Sequence, residues 1–312
     1  MSGIAGLLGR ERTPARPGPG PMPETLLRAL ELTIARRAEG LLAGEHRSSL
    51  FGRGSELAQV RPYEAGEDDV RHIDWNVTAR TGTPHVRVQL AERVLVTWLV
   101  LDTSPSMTFG TADRRKADVA EGVVLAVGHL ATRRGNRLGL VTFGGLQPRS
   151  LPPRQGRTGM LGLLLALRLE AETGPTGATS LGQAFRRTSR LARQRALAVV
   201  VSDFRSPLDW RRPLLELAAR HEVLAVEIRD PREQELPSLG ELWLVDPETG
   251  KQLRVDTRSE RLRARFAAAA GDERERVART LSSAGVRHVV LSTEGDWLRV
   301  LASFLRRRAR RQ

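Results

Sequence analysis

One stretch sets the terms for the rest of the chain. Val94-Leu95-Val96-Thr97-Trp98-Leu99-Val100-Leu101 runs almost without polar interruption into Asp102-Thr103-Ser104-Pro105-Ser106. A short apolar run rich in β-branched and aromatic residues reads as a strand buried on both faces, the kind found in a parallel sheet covered by helices. In open α/β sheets, ligands bind just beyond the carboxyl ends of the strands. Asp102, Ser104 and Ser106 stand at that end. Carboxylate and hydroxyl oxygens presented together suit a hard divalent cation, Mg²⁺ above all, which keeps several waters or a partner's oxygen in its shell.

Two later stretches extend the same pattern. Gly177-Ala178-Thr179-Ser180-Leu181, with Ala184 one turn on, opens a helix and offers a threonine hydroxyl. Ala196-Leu197-Ala198-Val199-Val200-Val201-Ser202-Asp203 is a second buried strand that ends in an aspartate. Asp-x-Ser-x-Ser, then Thr, then a strand ending in Asp resembles the metal-ion-dependent adhesion site of von Willebrand factor type A domains. The resemblance implies that Ser104, Ser106 and Thr179 lie near the ion, with Asp102 and Asp203 binding it directly or through water. The plainer reading is that Asp102 and Ser104 cap the following helix, as such residues often do.

Strand and helix signals alternate through the second part of the chain. Helix 113–134 places Val119, Val123, Val127 and Leu130 on one face. Leu138 to Phe143 is a strand, and the Pro- and Arg-rich connection 146–157 holds a short antiparallel edge strand. Helices at 161–169, 180–194, 209–220, 258–284 and 296–311 and strands at 223–228 and 286–291 complete the alternation. Glu241 to Val245 and Gln252 to Asp256 form a hairpin around Asp246-Pro247-Glu248-Thr249-Gly250. The pattern predicts a doubly wound, mostly parallel α/β sheet with a hairpin insertion.

Ahead of that region, residues 1–23 are rich in Gly, Pro and Arg and predict a disordered tail. Leu26, Leu27, Leu30 and Ile34 recur at helical spacing within 24–42. Residues 52–80 are crowded with charge. The pattern Arg61-x-Tyr63-x-x-Gly66-Glu67-Asp68-x-x-Arg71-x-Ile73-Asp74-Trp75 followed by Ala79-Arg80, with Asp69 inside it, resembles the signature of bacterial proteins in Domain of Unknown Function family 58. Such proteins carry this segment just ahead of a von Willebrand A-like domain. The resemblance runs from about Gly52 to Asp230, and more loosely beyond.

Within the segment, Asp68, Asp69 and Asp74 read as partners of Arg61, Arg71 and Arg80 in a structural network rather than as a second cation site, since bidentate arginine–carboxylate pairs neutralise the acids. Tyr63, Ile73 and Trp75 are expected as buried anchors. His72 has no second histidine at metal-binding spacing. His85 to Leu90 is expected as an edge strand leading into the central one. The expected organisation is a tail (1–23), an N-terminal helix and signature segment packing on the sheet (24–90), and a von Willebrand A-like domain (91–312).

Composition narrows the function. With 312 residues the chain can bury a sizeable core. Cysteine is absent, which removes disulfides, thiolate nucleophiles and Cys-based zinc sites. No apolar run approaches the roughly 18 residues of a membrane span, and the N-terminus lacks an apolar leader core, so the expected location is the cytoplasm. The net charge is +14, but all except two of the 50 basic side chains are arginine, a lopsidedness more typical of genome composition than of a phosphate-binding surface. The terminal Leu305-Arg306-Arg307-Arg308-Ala309-Arg310-Arg311-Gln312 reads as a solvated helix end rather than a nucleic-acid interface, because no aromatic platform accompanies it.

No phosphate-binding loop, dinucleotide fingerprint or zinc-protease pattern is present. One enzyme reading survives. Asp102 could be a phosphoryl-accepting nucleophile, with Asp203 holding Mg²⁺ and Lys116 or Lys251 in support. Position 104, where such enzymes place a general acid, is serine. The leading expectation is therefore a non-enzymatic protein-interaction module whose incomplete cation shell accepts a carboxylate from a partner. The resemblance to the family implies a partner class, MoxR-type AAA+ ATPases, and a chaperone-like role in assembling or activating other proteins.

Overall fold

The computed structural model describes residues 51–66, 68–90, 96–132, 136–145, 148–156, 180–206 and 208–309. The proposed tail, the helix at 24–42, the helix at 161–169 and Thr179 lie outside them. The chain divides into two compact units, a smaller one within Ala35–Val94 and a larger one from Leu95 onward.

In the smaller unit, β1 (Phe51–Pro62) and β2 (His85–Leu90) form an antiparallel ribbon. β2 is thus not an edge strand of the main sheet. Between the two strands lie a short 3₁₀ turn, Val70–His72, and helix α1, Trp75–Thr81. Asp69 caps the first by accepting the Arg71 backbone N–H, and Asp74 caps the second by accepting from Asn76 and Val77. The expected Arg61–Asp68 pair is present at 2.8 Å. Asp69 and Asp74 both cap helical turns, which their position just before a turn favours. A second expectation fails: Trp75 is 71% exposed. Tyr63 and Ile73 are half-buried. Trp75 occupies the first position of α1, where the ring projects outward; within this unit it is no core anchor.

The larger unit holds a six-stranded sheet in the order β10-β7-β6-β3-β4-β5. Its strands are β3 (Val96–Asp102), β4 (Arg137–Phe143), β5 (Ser150–Gln155), β6 (Leu197–Ser202), β7 (Glu222–Arg229) and β10 (Arg287–Ser292). All pairs are parallel except β4–β5. The fold class expected from the alternating pattern is the one observed: mixed, mostly parallel, with helices on both faces. The chain runs outward from β3 through β4 to β5, then returns to the other side of β3 and runs outward through β6 and β7 to β10. The order therefore reverses between β3 and β6, and such a switch point opens a crevice at the carboxyl ends of the two strands.

Alternate residues explain the apolar run. Leu99, Leu101, Val199 and Val201 enter one core, closed by Val119, Val123 and Val127 of α2 (Lys116–Thr132) and by Leu298 and Leu301 of α6 (Trp297–Ala309). Val100, Val200 and Ala198 enter the other, with Leu181 and Phe185 of α3 (Leu181–Leu191), Leu214 and Leu217 of α4 (Arg211–Arg220), and Val277 and Leu281 of α5 (Glu260–Ser283). A strand covered on both faces has no polar side to alternate with. Each fully buried aliphatic side chain contributes about 1.5–3 kcal/mol. Trp98 fits because Gly139 faces it across the β3–β4 pair; a Cβ there would lie 2.8 Å from the ring.

The hairpin expected at 241–256 is β8 (Glu241–Val245) paired with β9 (Gln252–Asp256). Its base is tied by the buried Thr257, whose hydroxyl donates to the Gly240 carbonyl at 2.7 Å and accepts from the Leu239 N–H at 3.0 Å.

Candidate functional site

β3 and β6 end side by side at the switch point, and their last residues define the site. Asp102 is the final residue of β3, and Asp203 follows the final residue of β6. Both are buried. After Asp102 the chain turns back: the Thr103 N–H donates to the Phe143 carbonyl at 2.8 Å, and the Ser104 N–H donates to Asp102 Oδ1 at 2.9 Å. This close return requires glycine on the neighbouring strand. Gly144 has φ of 83°, and a Cβ there would sit 2.7 Å from the Ser104 backbone nitrogen.

Ser104 occupies the cap position of the turn Pro105–Thr108 yet makes no side-chain cap bond. Its hydroxyl lies 3.0 Å from the Ser106 hydroxyl and favours the charged form of Asp102. The Ser106 hydroxyl likewise favours the charged form of Asp203. Capping thus does not account for these residues. Asp102, Ser104, Ser106 and Asp203 lie near one another at the ends of β3 and β6. Ser180, the residue after Thr179, caps α3 by accepting the Gln183 N–H.

Three further participants join the group; of these the sequence singles out only Lys116, as a support in the phosphoryl-transfer reading. Ser202, still in β6, donates to Asp102 Oδ2 at 2.5 Å and accepts the Phe204 N–H at 2.9 Å. Phe204 has φ of 56°, in the left-handed region that non-glycine residues rarely occupy. The strain, on the order of 1–3 kcal/mol, is offset by burial of its ring edge-on to Trp210, with centroids 5.8 Å apart. The bend also lets the Arg205 N–H reach Asp203 Oδ1 at 3.1 Å.

The second participant is Lys116, at the start of α2. Its side chain is wholly buried, with the ammonium 2.7 Å from Asp203 Oδ2 and 2.6 Å from Glu233 Oε1. Glu233 also pairs with Arg205 at 2.9 Å. The third is Glu248, in the turn of the β8–β9 hairpin, whose Oε1 accepts the Ser106 N–H at 3.0 Å.

These neighbours give the two aspartates opposite electrostatics. Burial alone would raise the Asp203 carboxyl, but the Lys116 ammonium outweighs it and holds Asp203 below its ordinary range. Burial would likewise discharge Lys116, yet Asp203 and Glu233 together keep its ammonium protonated and raise it. Asp102 has no basic side chain paired with it among the described residues. Burial, and then the charge of Asp203, push its carboxyl up to about 7.

The group contains only oxygen donors, apart from the lysine that serves Asp203. Among the described residues no three carboxylate or imidazole side chains gather into a cluster. A cation would therefore rest on Asp102 and the two serine hydroxyls, with Asp203, already committed to Lys116, acting through water. The fit is to a hard ion of modest protein coordination, such as Mg²⁺, which keeps several waters. The supporting observation is Asp102 itself: a buried carboxyl with no counter-charge among the described residues, near two serine hydroxyls 3.0 Å apart.

Among the described residues no helix is long and apolar enough to cross a membrane. The chain is 42% identical over 288 residues to the uncharacterized protein Rv1480 of Mycobacterium tuberculosis, covering 91% of this chain and 89% of that one. It is also 42% identical over 164 residues to the uncharacterized protein MAV169 of Mycobacterium avium, covering 51% of this chain and 94% of that one. Among solved structures, it resembles BatB from Bacteroides thetaiotaomicron with 14% identity and a TM-score of 0.44, covering 70% of this chain and 100% of that one. It also resembles the SpRpn10 von Willebrand A domain with 16% identity and a TM-score of 0.37, covering 67% of this chain and 94% of that one. The model of the family described as "Protein of unknown function DUF58" matches residues 59–276. The chain belongs to that family.

Proposed function

We propose that this protein is a non-enzymatic interaction module that binds its partner through a shared divalent cation, Mg²⁺ foremost. The observation that carries the reading is the group of Asp102, Ser104, Ser106 and Asp203 at the switch point, in which Asp102 is buried without a paired cation. An ion held by one carboxylate and two hydroxyls keeps open positions, and a carboxylate from a second protein is the matching ligand. Thr179, which family resemblance offers as a further hydroxyl, lies outside the described residues. The partner class suggested by family resemblance is a MoxR-type AAA+ ATPase, with this chain acting as an adaptor in the assembly or activation of other proteins, in the cytoplasm.

The test is co-purification with the host's MoxR-type ATPase. Capture in Mg²⁺, loss with EDTA and loss in Asp102→Asn support the reading. Capture that ignores chelator and weakens steeply with salt would instead point to the arginine-rich tail and simple electrostatics.

One observation favours a second reading. Lys116 stands beside Asp203, as a phosphoryl-transfer site using Asp102 as nucleophile would need. Yet its ammonium is enclosed between two carboxylates, and Ser104 stands where a general acid belongs. Turnover of an aryl phosphate with Mg²⁺, abolished by Asp102→Asn, would establish that reading; its absence leaves the binding module.

A further inference from the structure

The β8–β9 hairpin carries one side chain into the site from far along the chain. Glu248 is an exposed residue on a surface turn, where a glutamate ordinarily stays solvated. Instead its Oε1 accepts the backbone N–H of Ser106, 142 residues away, at 3.0 Å. The turn that presents it is built in advance. Asp246 accepts the Glu248 N–H through Oδ1 at 3.0 Å and the Thr249 hydroxyl through Oδ2 at 2.5 Å. The Gly250 N–H closes on the Asp246 carbonyl at 2.8 Å, and Gly250 sits at φ of 69°. Such a turn lowers the entropy lost when one side chain is held in place. The second oxygen, Oε2, has no donor among the described residues. A carboxylate thus lies against the loop that carries Ser104 and Ser106, with one oxygen fixed and the other uncommitted.

We propose that Glu248 is an internal ligand of the cation site, holding the position that a partner's carboxylate takes. The hairpin then acts as a resident competitor: its turn completes the ion's shell in the free protein and must leave before a partner binds. This rests on the cation-site reading above. The hairpin is suited to leaving as a unit. It is a two-stranded sheet of its own, anchored at its base by Thr257 and, at its turn, by the bond to Ser106.

The test is calorimetric titration of the full-length, metal-stripped chain with MgCl₂, comparing wild type, Glu248→Gln, Glu248→Ala and Asp102→Asn. Gln can still accept the Ser106 N–H but supplies no charge, so it separates a ligand from a structural hydrogen bond. The expected result is that both Glu248 variants weaken Mg²⁺ binding about tenfold or more, as loss of a charged oxygen ligand should. Millimolar acetate should restore part of that loss in Glu248→Ala and change nothing in wild type. Wild-type Mg²⁺ affinity in both Glu248 variants, with binding lost in Asp102→Asn, overturns the internal ligand and leaves the cation site standing. Full rescue by Glu248→Gln also overturns it. Mg²⁺ binding absent from wild type, or unchanged in Asp102→Asn, overturns the cation site and this inference with it.

Discussion

The ammonium of Lys116 lies 2.7 Å from Asp203 Oδ2, in a position with no side-chain exposure, while Asp102 on the adjacent strand has no such partner among the described residues. The site therefore contains one neutralised aspartate and one that is not. Under the proposed cation site, that asymmetry would set Asp102 directly on the ion and Asp203 behind a water.

Lys116→Met should be strongly destabilising. It leaves Asp203 and Glu233 buried around a lost charge, and breaking a buried pair from one side costs about 3–5 kcal/mol. The same change makes the site more negative, so Mg²⁺ should raise the melting temperature of the variant by more than it raises that of wild type. Thermal unfolding with and without MgCl₂ checks both parts.

The metal-free protein should lose stability as pH rises. Asp102 is raised in the fold from an ordinary 3.8 to about 7, so the folded state holds a proton that the unfolded chain releases. Its contribution is complete below about pH 4, declines through neutrality and is gone above about pH 7, for a total of up to roughly 4 kcal/mol. Asp102→Asn removes the titration. Urea unfolding between about pH 5 and pH 8 should give a flatter profile for the variant, with higher stability than wild type at the alkaline end.

His221 works in the opposite direction. It is buried at the end of α4, and neither ring nitrogen has a partner among the described residues. Burial, then the neighbouring Arg220, lowers its pKa, so stability is complete above its ordinary value and falls as the pH drops below it. His221→Leu should flatten the acid side of the profile in the same urea series and cost nothing at about pH 8.

Gly144→Ala should disturb the site without touching its chemistry. The residue's φ of 83° disfavours any Cβ, and the added carbon would collide with Ser104. A destabilisation of about 1–2 kcal/mol is expected, together with weaker Mg²⁺ binding by calorimetry.

Much of this was legible in the sequence, for a physical reason. A strand buried on both faces, such as Val96–Asp102 or Leu197–Ser202, is apolar at nearly every position, so its end is marked by the first carboxylate. Ser104 and Ser106 then follow within a few residues of chain. Glu233 and Glu248 gave no such mark, and Lys116 stood out only as one of the chain's two lysines. Each looks like an ordinary surface charge on a helix or turn, and only the packing of α2 and the reach of the hairpin bring them in. Trp75 shows the converse error. Its size suggests an anchor, but at the first position of a short helix it is exposed, and Trp75→Ala should change stability by no more than about 0.5 kcal/mol.

The central claim is that one divalent ion rests on Asp102 and the serine hydroxyls. Thermal unfolding of the metal-stripped protein with saturating MgCl₂, beside Asp102→Asn, tests it most directly. Ligand binding to the folded state alone should raise the wild-type melting temperature by about 5 °C or more and leave the variant unmoved. A wild-type melting temperature indifferent to Mg²⁺, or an equal rise in both proteins, would contradict the account.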